Sequence, residues 1–90
     1  MLRLLIKYKA KEGKAREFIS YIKDSGILDS IKKDEGYISY NYYIDAFDED
    51  TILLLEEWKD RECQQKHIAS PHMKALLEKK KDYIIETAEL

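Results

Sequence analysis

Cysteine, proline and glycine are scarce in this sequence: one cysteine, one proline and three glycines among 90 residues. A lone thiol, Cys63, excludes an intramolecular disulfide and suits a reducing compartment. With so little glycine and proline there is no linker or low-complexity stretch, and no internal repeat is present. No apolar run approaches the roughly 20 residues that cross a bilayer. The start, Met1-Leu2-Arg3-Leu4-Leu5-Ile6, runs straight into lysines without the apolar core and small-residue cleavage site of a signal peptide. The expectation is a cytoplasmic protein with no membrane partner. Excess charge is missing too. Sixteen basic residues against eighteen acidic ones leave −2, so nothing draws the chain as a whole toward nucleic acid. The only basic cluster, Lys79-Lys80-Lys81, reads as a solvated helix end.

What is there is an ordinary globular balance of 44% hydrophobic and 38% charged residues. Ninety residues make one domain, residues 1–90, because so short a chain has no room for a second core. A domain of this size buries only about 60–65% of its unfolded surface, so pairing with a second copy is an expected source of stability.

Hydrophobic periodicity divides the chain. Leu2, Leu4, Ile6 and Tyr8 alternate with Arg3, Lys7 and Lys9, the period of a strand over 2–9. From Glu12 the period lengthens, with Ala15, Phe18, Ile19 and Ile22 at helical spacing. Ser25-Gly26 breaks that helix, and Ile27, Leu28 and Ile31 continue it as a second piece ending near Gly36. Tyr37–Ile44, rich in tyrosine and isoleucine, reads as a second strand, and the acidic stretch 45–50 as a turn. Thr51–Trp58 is a third strand whose consecutive Leu53, Leu54 and Leu55 need cover on both faces. Helices of the same chain cover one face; the same face of a second subunit is the obvious cover for the other. Asp60 caps a polar helix over 61–69, Ser70-Pro71 starts another carrying Met73, Leu76 and Leu77, and 83–90 closes as a strand. The order β-α-β-β-α-β is the split βαβ pattern, an α+β ferredoxin-like fold with a four-stranded antiparallel sheet.

Three strings carry a resemblance: Glu35-Gly36-Tyr37-Ile38-Ser39-Tyr40, Leu55-Glu56-Glu57-Trp58-Lys59-Asp60 and His67-Ile68-Ala69-Ser70-Pro71-His72. Together they resemble the antibiotic biosynthesis monooxygenase domain family over nearly the whole chain. The most specific part is Glu-Glu-Trp followed at this separation by His-x-x-Ser-x-His. The resemblance implies two ferredoxin-like monomers packed sheet to sheet as a dimeric α+β barrel. It also implies cofactor-free oxygenation of quinols or polycyclic phenols, with heme-degrading and sugar-phosphate-processing relatives. The name-giving enzymes use an asparagine four residues before the tryptophan and a tyrosine six after it; here Leu54 and Gln64 stand there. The heme-degrading pattern wants an asparagine in strand one and a histidine in the last helix, where this chain has Ile6-Lys7-Tyr8 and Leu76 to Lys81.

Any small-molecule chemistry is expected around the stretch from Trp58 to His72, with further candidates on the second and third strands. Trp58, the only tryptophan, ends an aliphatic strand, where its indole either stacks on a planar substrate or packs in the core. In the family the matching tryptophan lines the pocket. His67 is the candidate general base for a phenolic or enolic proton, its alternative being a structural hydrogen bond. His72 is a capping or substrate contact. The two histidines are five apart with a helix break between them, so no shared face and no metal site is expected. Glu56 shares a strand face with Trp58, whereas Glu57 points the other way, which excludes the pair from joint acid/base work. Alternation puts Tyr37, Asn41 and Tyr43 on one face of strand two and Tyr40 and Tyr42 on the other; Asn41 and Tyr43 are candidate substrate contacts. Cys63 has no base partner and reads as a small packed residue.

The expectation from sequence is a homodimeric, cofactor-independent monooxygenase using His67 and Trp58, with Asn41, Tyr43, Glu56 and His72 around a small aromatic or enolic substrate, and with neither metal nor organic cofactor. The alternative is a dimeric module of the same fold that binds or senses such a molecule without turnover, or one whose pocket is filled by its own core.

Overall fold

The computed structural model describes residues 1–90. Its elements run β1 (Leu2–Ala10), α1 (Ala15–Asp24), α2 (Ile27–Lys32), β2 (Tyr37–Ile44), β3 (Thr51–Trp58), α3 (Arg61–Ile68), α4 (Pro71–Lys80) and β4 (Ile84–Glu89). The strands form one sheet in the order β2-β3-β1-β4 with every neighbouring pair antiparallel. This is the α+β ferredoxin-like arrangement expected from the period changes. No helix is long and apolar enough to cross a membrane.

The helices cover one face of the sheet. Strand β3 shows this most clearly: Ile52, Leu54, Glu56 and Trp58 are buried, while Leu53, Leu55 and Glu57 on the alternate side are only partly so. One cluster forms the core. Phe18 of α1 sits between Tyr8 of β1 and Tyr42 of β2, each ring edge-on at 6.2 Å. In α4, Met73 and Leu76 are buried, whereas Leu77 is 39% exposed and falls outside the stripe expected for it.

Local chemistry explains the joints. Between α1 and α2, Gly26 takes a φ of +76°, and Ser25 Oγ donates to Ile22 O at 3.1 Å and accepts from Ile27 N at 3.3 Å. Helix α2 ends at Lys32, earlier than the Gly36 expected from sequence, because 33–36 fold as a turn in which Asp34 N bonds Ile31 O and Tyr37 N bonds Asp34 O. Asp60 and Ser70 cap α3 and α4, accepting from Cys63 N at 2.9 Å and Met73 N at 3.3 Å. A bulge between Tyr37 and Ser39 adds Ile38 to β2, so Tyr37 pairs with Trp58 and joins its face. The alternation that grouped Tyr37 with Asn41 and Tyr43 is thereby corrected.

Gly36 closes the turn before β2 at a φ of +77°, and a Cβ there would lie 2.5 Å from Cys63 Sγ and 2.6 Å from Cys63 Cβ. Its carbonyl also accepts from Lys59 N at 2.8 Å. Replacing Gly36 with Ala combines a left-handed penalty with overpacking, an expected loss of about 2–4 kcal/mol in urea unfolding. A change within 0.5 kcal/mol would mean that this turn relaxes freely.

The β2–β3 loop is tied by Asp48, which accepts from Lys9 Nζ at 2.9 Å, Thr51 Oγ1 at 2.7 Å and Asp50 N at 3.0 Å. The bonds to Lys9 and Thr51 hold its carboxyl down at about 2 against an ordinary 3.8. A depressed folded value stabilises above the unfolded one and is lost as pH falls through the folded one. Stability is therefore expected to drop between pH 3.8 and 2. The Asp48→Asn variant should lack that component in acid titrations followed by circular dichroism; identical acid profiles would remove Asp48 as its source.

Candidate functional site

Trp58 and Glu56 leave β3 toward the helices two residues apart, and the indole Nε1–H donates to Glu56 Oε1 at 2.8 Å. Both are almost completely buried, at 0% and 2% exposed. Burial pushes the Glu56 carboxyl above its ordinary value; the Trp58 hydrogen bond opposes this and the charge of Glu89 adds to it. By register Glu56 lies between Leu4 of β1 and Tyr40 of β2. The expectation that Glu56 and Trp58 share a face holds. The indole N–H is already engaged, so Trp58 offers a ring wall rather than a free donor.

That wall meets His67. The imidazole of His67, 1% exposed near the end of α3, lies 4.4 Å from the Trp58 ring centroid and 5.5 Å from that of Tyr40. Its placement follows from the caps. Asp60 starts α3 and Ser70 Oγ donates back to His67 O at 2.7 Å, fixing the turn into α4. On the outer side His67 Nδ1 lies 2.7 Å from Asp34 Oδ2, and on the inner side Nε2 is buried with no partner. A carboxylate only accepts, so Nδ1 carries the hydrogen and Nε2 presents a lone pair to the interior. Burial pushes the His67 pKa down, with the Asp34 hydrogen bond and charge pulling the other way and His72 reinforcing the decrease.

His72, second residue of α4, also reaches Asp34, with Nε2 at 2.8 Å from the same Oδ2. The helix break between the histidines was expected to keep them apart. It does the reverse: the α3–α4 turn folds them onto one carboxylate, with ring centroids 6.3 Å apart. Asp34 itself was missed. It sits in a Lys- and Glu-rich turn 33 positions before His67 and nothing local marks it.

The rest of the interior is phenolic. Tyr8, Tyr40 and Tyr42 face the helices, and burial raises each of their pKa values, so they remain hydroxyl donors. Tyr42 hydroxyl and His67 Nε2 are the buried side-chain polar atoms left without a hydrogen bond. Each such vacancy costs about 1–3 kcal/mol. Side chains fill the space around them. Three cavities, of about 180, 250 and 310 Å³, lie elsewhere, near α4–β4, near Gly13 and Asp50, and beside α1 at Ile44.

Asn41 and Tyr43 do not belong to this group. They pair with Leu55 and Leu53 and therefore share the sheet face away from the helices, opposite Glu56 and Trp58. Their expected grouping with His67 is corrected by the same alternation that places Glu56 correctly. Cys63 is 5% exposed against Gly36, and burial pushes its thiol up, which makes it a packing residue.

The model of the family described as antibiotic biosynthesis monooxygenase matches residues 1–79. Among curated proteins, an uncharacterized Synechocystis protein is 28% identical over 91% of this chain, and the chain spans about half of that relative, 54%. A Bacillus subtilis protein named "Putative monooxygenase YcnE" is 26% identical, covering 93% of this chain and 86% of its own length. A conserved protein from Methanosarcina mazei superposes with a TM-score of 0.85 at 29% identity, covering 98% of this chain and 86% of that one.

Proposed function

Since the chain belongs to the antibiotic biosynthesis monooxygenase family, we propose that it is a cofactor-independent oxygenase for a small phenolic, quinol or enolic substrate, with His67 as the proton acceptor. The observation carrying this reading is the buried, unpartnered Nε2 of His67, whose opposite nitrogen is held by Asp34. An imidazole oriented in this way and walled by Trp58 is suited to taking a proton from an activated O–H or C–H. The resulting anion is electron-rich enough to add oxygen. At an activated methylene the hydroperoxide then loses water, so CH2 and O2 become C=O and H2O. The unpaired Tyr42 hydroxyl can donate to the substrate oxygen that gathers charge.

The side chains now meeting between Trp58, Tyr40 and His67 must separate to admit a ring, so opening of the sheet–helix interface is part of this proposal. The same close packing favours the second reading, a dimeric domain of this fold that turns nothing over. Oxygen uptake with a panel of quinols separates the two, using His67→Ala and Trp58→Phe as controls. Turnover untouched by both changes would remove this site, and absence of turnover together with no thermal stabilisation by any planar phenol would favour the filled-core domain.

We also propose that the chain works as a homodimer through the open face of the sheet. Leu5 and Leu55 are direct cross-strand partners there, with Leu53 beside them.

A further inference from the structure

We propose that Asp34, His67 and His72 form a binding site for a divalent transition-metal ion of the zinc, cobalt or nickel class. One ligand atom from each of the three lies within 4.8 Å of the others, and Asp34 Oδ2 stands 2.7 Å from His67 Nδ1 and 2.8 Å from His72 Nε2. The donors come from three separate places, the α2–β2 turn, the end of α3 and the start of α4, and the Ser70 bonds to His67 O and Met73 N fix the turn between the two histidines. Two imidazoles and a carboxylate are the donor set that zinc and its neighbours prefer over calcium or magnesium.

The distances suit an ion. Nitrogen and oxygen ligands about 2.0–2.2 Å from one tetrahedral metal stand roughly 3.3–3.6 Å from each other. The present contacts of 2.7 and 2.8 Å need to open by roughly 0.5–0.9 Å, a movement that small rotations of the three side chains supply. The side chain of His67 is fully enclosed, while those of His72 and Asp34 are 24% and 15% exposed, so the ion enters from the His72 side and keeps a position for water. Without metal, both histidines donate to Asp34. With metal, each gives its lone pair to the ion and its proton moves to the other nitrogen, without net proton release. For His67 that places the hydrogen on the inward Nε2. The ion therefore removes the lone pair that the proposed oxygenation needs, a consequence that rests on that reading, whereas binding itself does not.

The test is titration of the intact protein with Co2+ followed by visible absorption, and with Zn2+ followed by calorimetry. One ion per chain is expected, with affinity falling on the order of 10- to 100-fold or more in His72→Ala and in Asp34→Asn. His72 is partly exposed, so its removal leaves the core in place; circular dichroism of each variant verifies this. In the zinc form, long-range ¹H–¹⁵N spectra should show the His67 proton on Nε2. Absence of saturable binding would overturn the proposal. So would affinity unchanged from that of the unaltered chain in both variants, or a cobalt–thiolate band pointing to Cys63. Inhibition of oxygen uptake by zinc in step with occupancy ties the site to the base; binding without turnover in any condition would sink the oxygenase reading and leave the metal site standing.

Discussion

Replacing His67 with Asn is expected to lower quinol-dependent oxygen uptake by about 10²–10⁴-fold while leaving the fold intact, the range typical for losing a positioned general base. Asparagine can put an amide N–H near the present Nδ1 and keep the bond to Asp34, but it has nothing at Nε2. The substitution therefore separates the inward lone pair from the outward anchor. Asp34→Asn tests the anchor. An amide beside Nδ1 can donate instead of accept, which drives the hydrogen to Nε2 and removes the base although the imidazole stays in place. The loss in Asp34→Asn should approach that in His67→Asn, and the double variant should be little worse than either, because both remove one device. Trp58→Phe keeps a ring wall and releases Glu56 from its 2.8 Å bond, so a smaller loss is expected. Rates that fall only in proportion to melting temperature would identify a structural role for the Asp34–His67 pair.

The parts of this molecule legible in sequence are those set by local rules. Alternation in β3 fixed which residues share a face, so the Glu56–Trp58 partnership could be read from a spacing of two, whereas which face meets the helices followed from the family resemblance. Ser70-Pro71 announced the start of α4 through cap chemistry, and Gly26 marked the break between α1 and α2. What escaped depends on contacts between distant segments. The extra residue at Ile38 changes the face of Tyr37, and such a bulge has no mark in a tyrosine-rich strand. Asp34 is one of eighteen acidic residues, and only the packing of α3 and α4 against the α2–β2 turn selects it. The histidines illustrate the point most directly. Helical spacing argues about one helix, whereas His67 and His72 meet because two helices are joined by a tight turn. Asn41 and Tyr43 were assigned by residue type rather than by face, because the period within β2 does not say which of its faces matches that of Trp58; only the register with β3 does.

On the open face of the sheet, Leu55→Lys is expected to convert a dimer into monomers. Leu5 lies opposite Leu55 and Leu53 opposite Lys7, while across β2 their neighbours are Asn41 and Tyr43, the latter 51% exposed. Leu5, Leu53 and Leu55 form a small apolar centre that Lys7 and Asn41 border and further polar groups flank. On one side Arg3 donates to Glu57 at 2.9 Å and Ser39 donates to Glu57 at 2.7 Å; on the other, Lys9 binds Asp48. An apolar centre with a charged rim suits self-association about a twofold axis, in which each substitution occurs twice. An unpaired ammonium in a dry interface costs a few kcal/mol per copy. Two copies at roughly 2–3 kcal/mol each raise the dissociation constant by about 10³–10⁴-fold. Sedimentation velocity at micromolar concentration should then show dimer for the unaltered chain and monomer, or unfolded protein, for Leu55→Lys. Leu77→Lys, on the helix side, should remain dimeric. A monomeric parent chain would end the dimer proposal. A dimer broken by Leu77→Lys and untouched by Leu55→Lys would move the interface to the helices, and with it the need for opening around His67 would have to be reconsidered, because α4 would then be held by the partner.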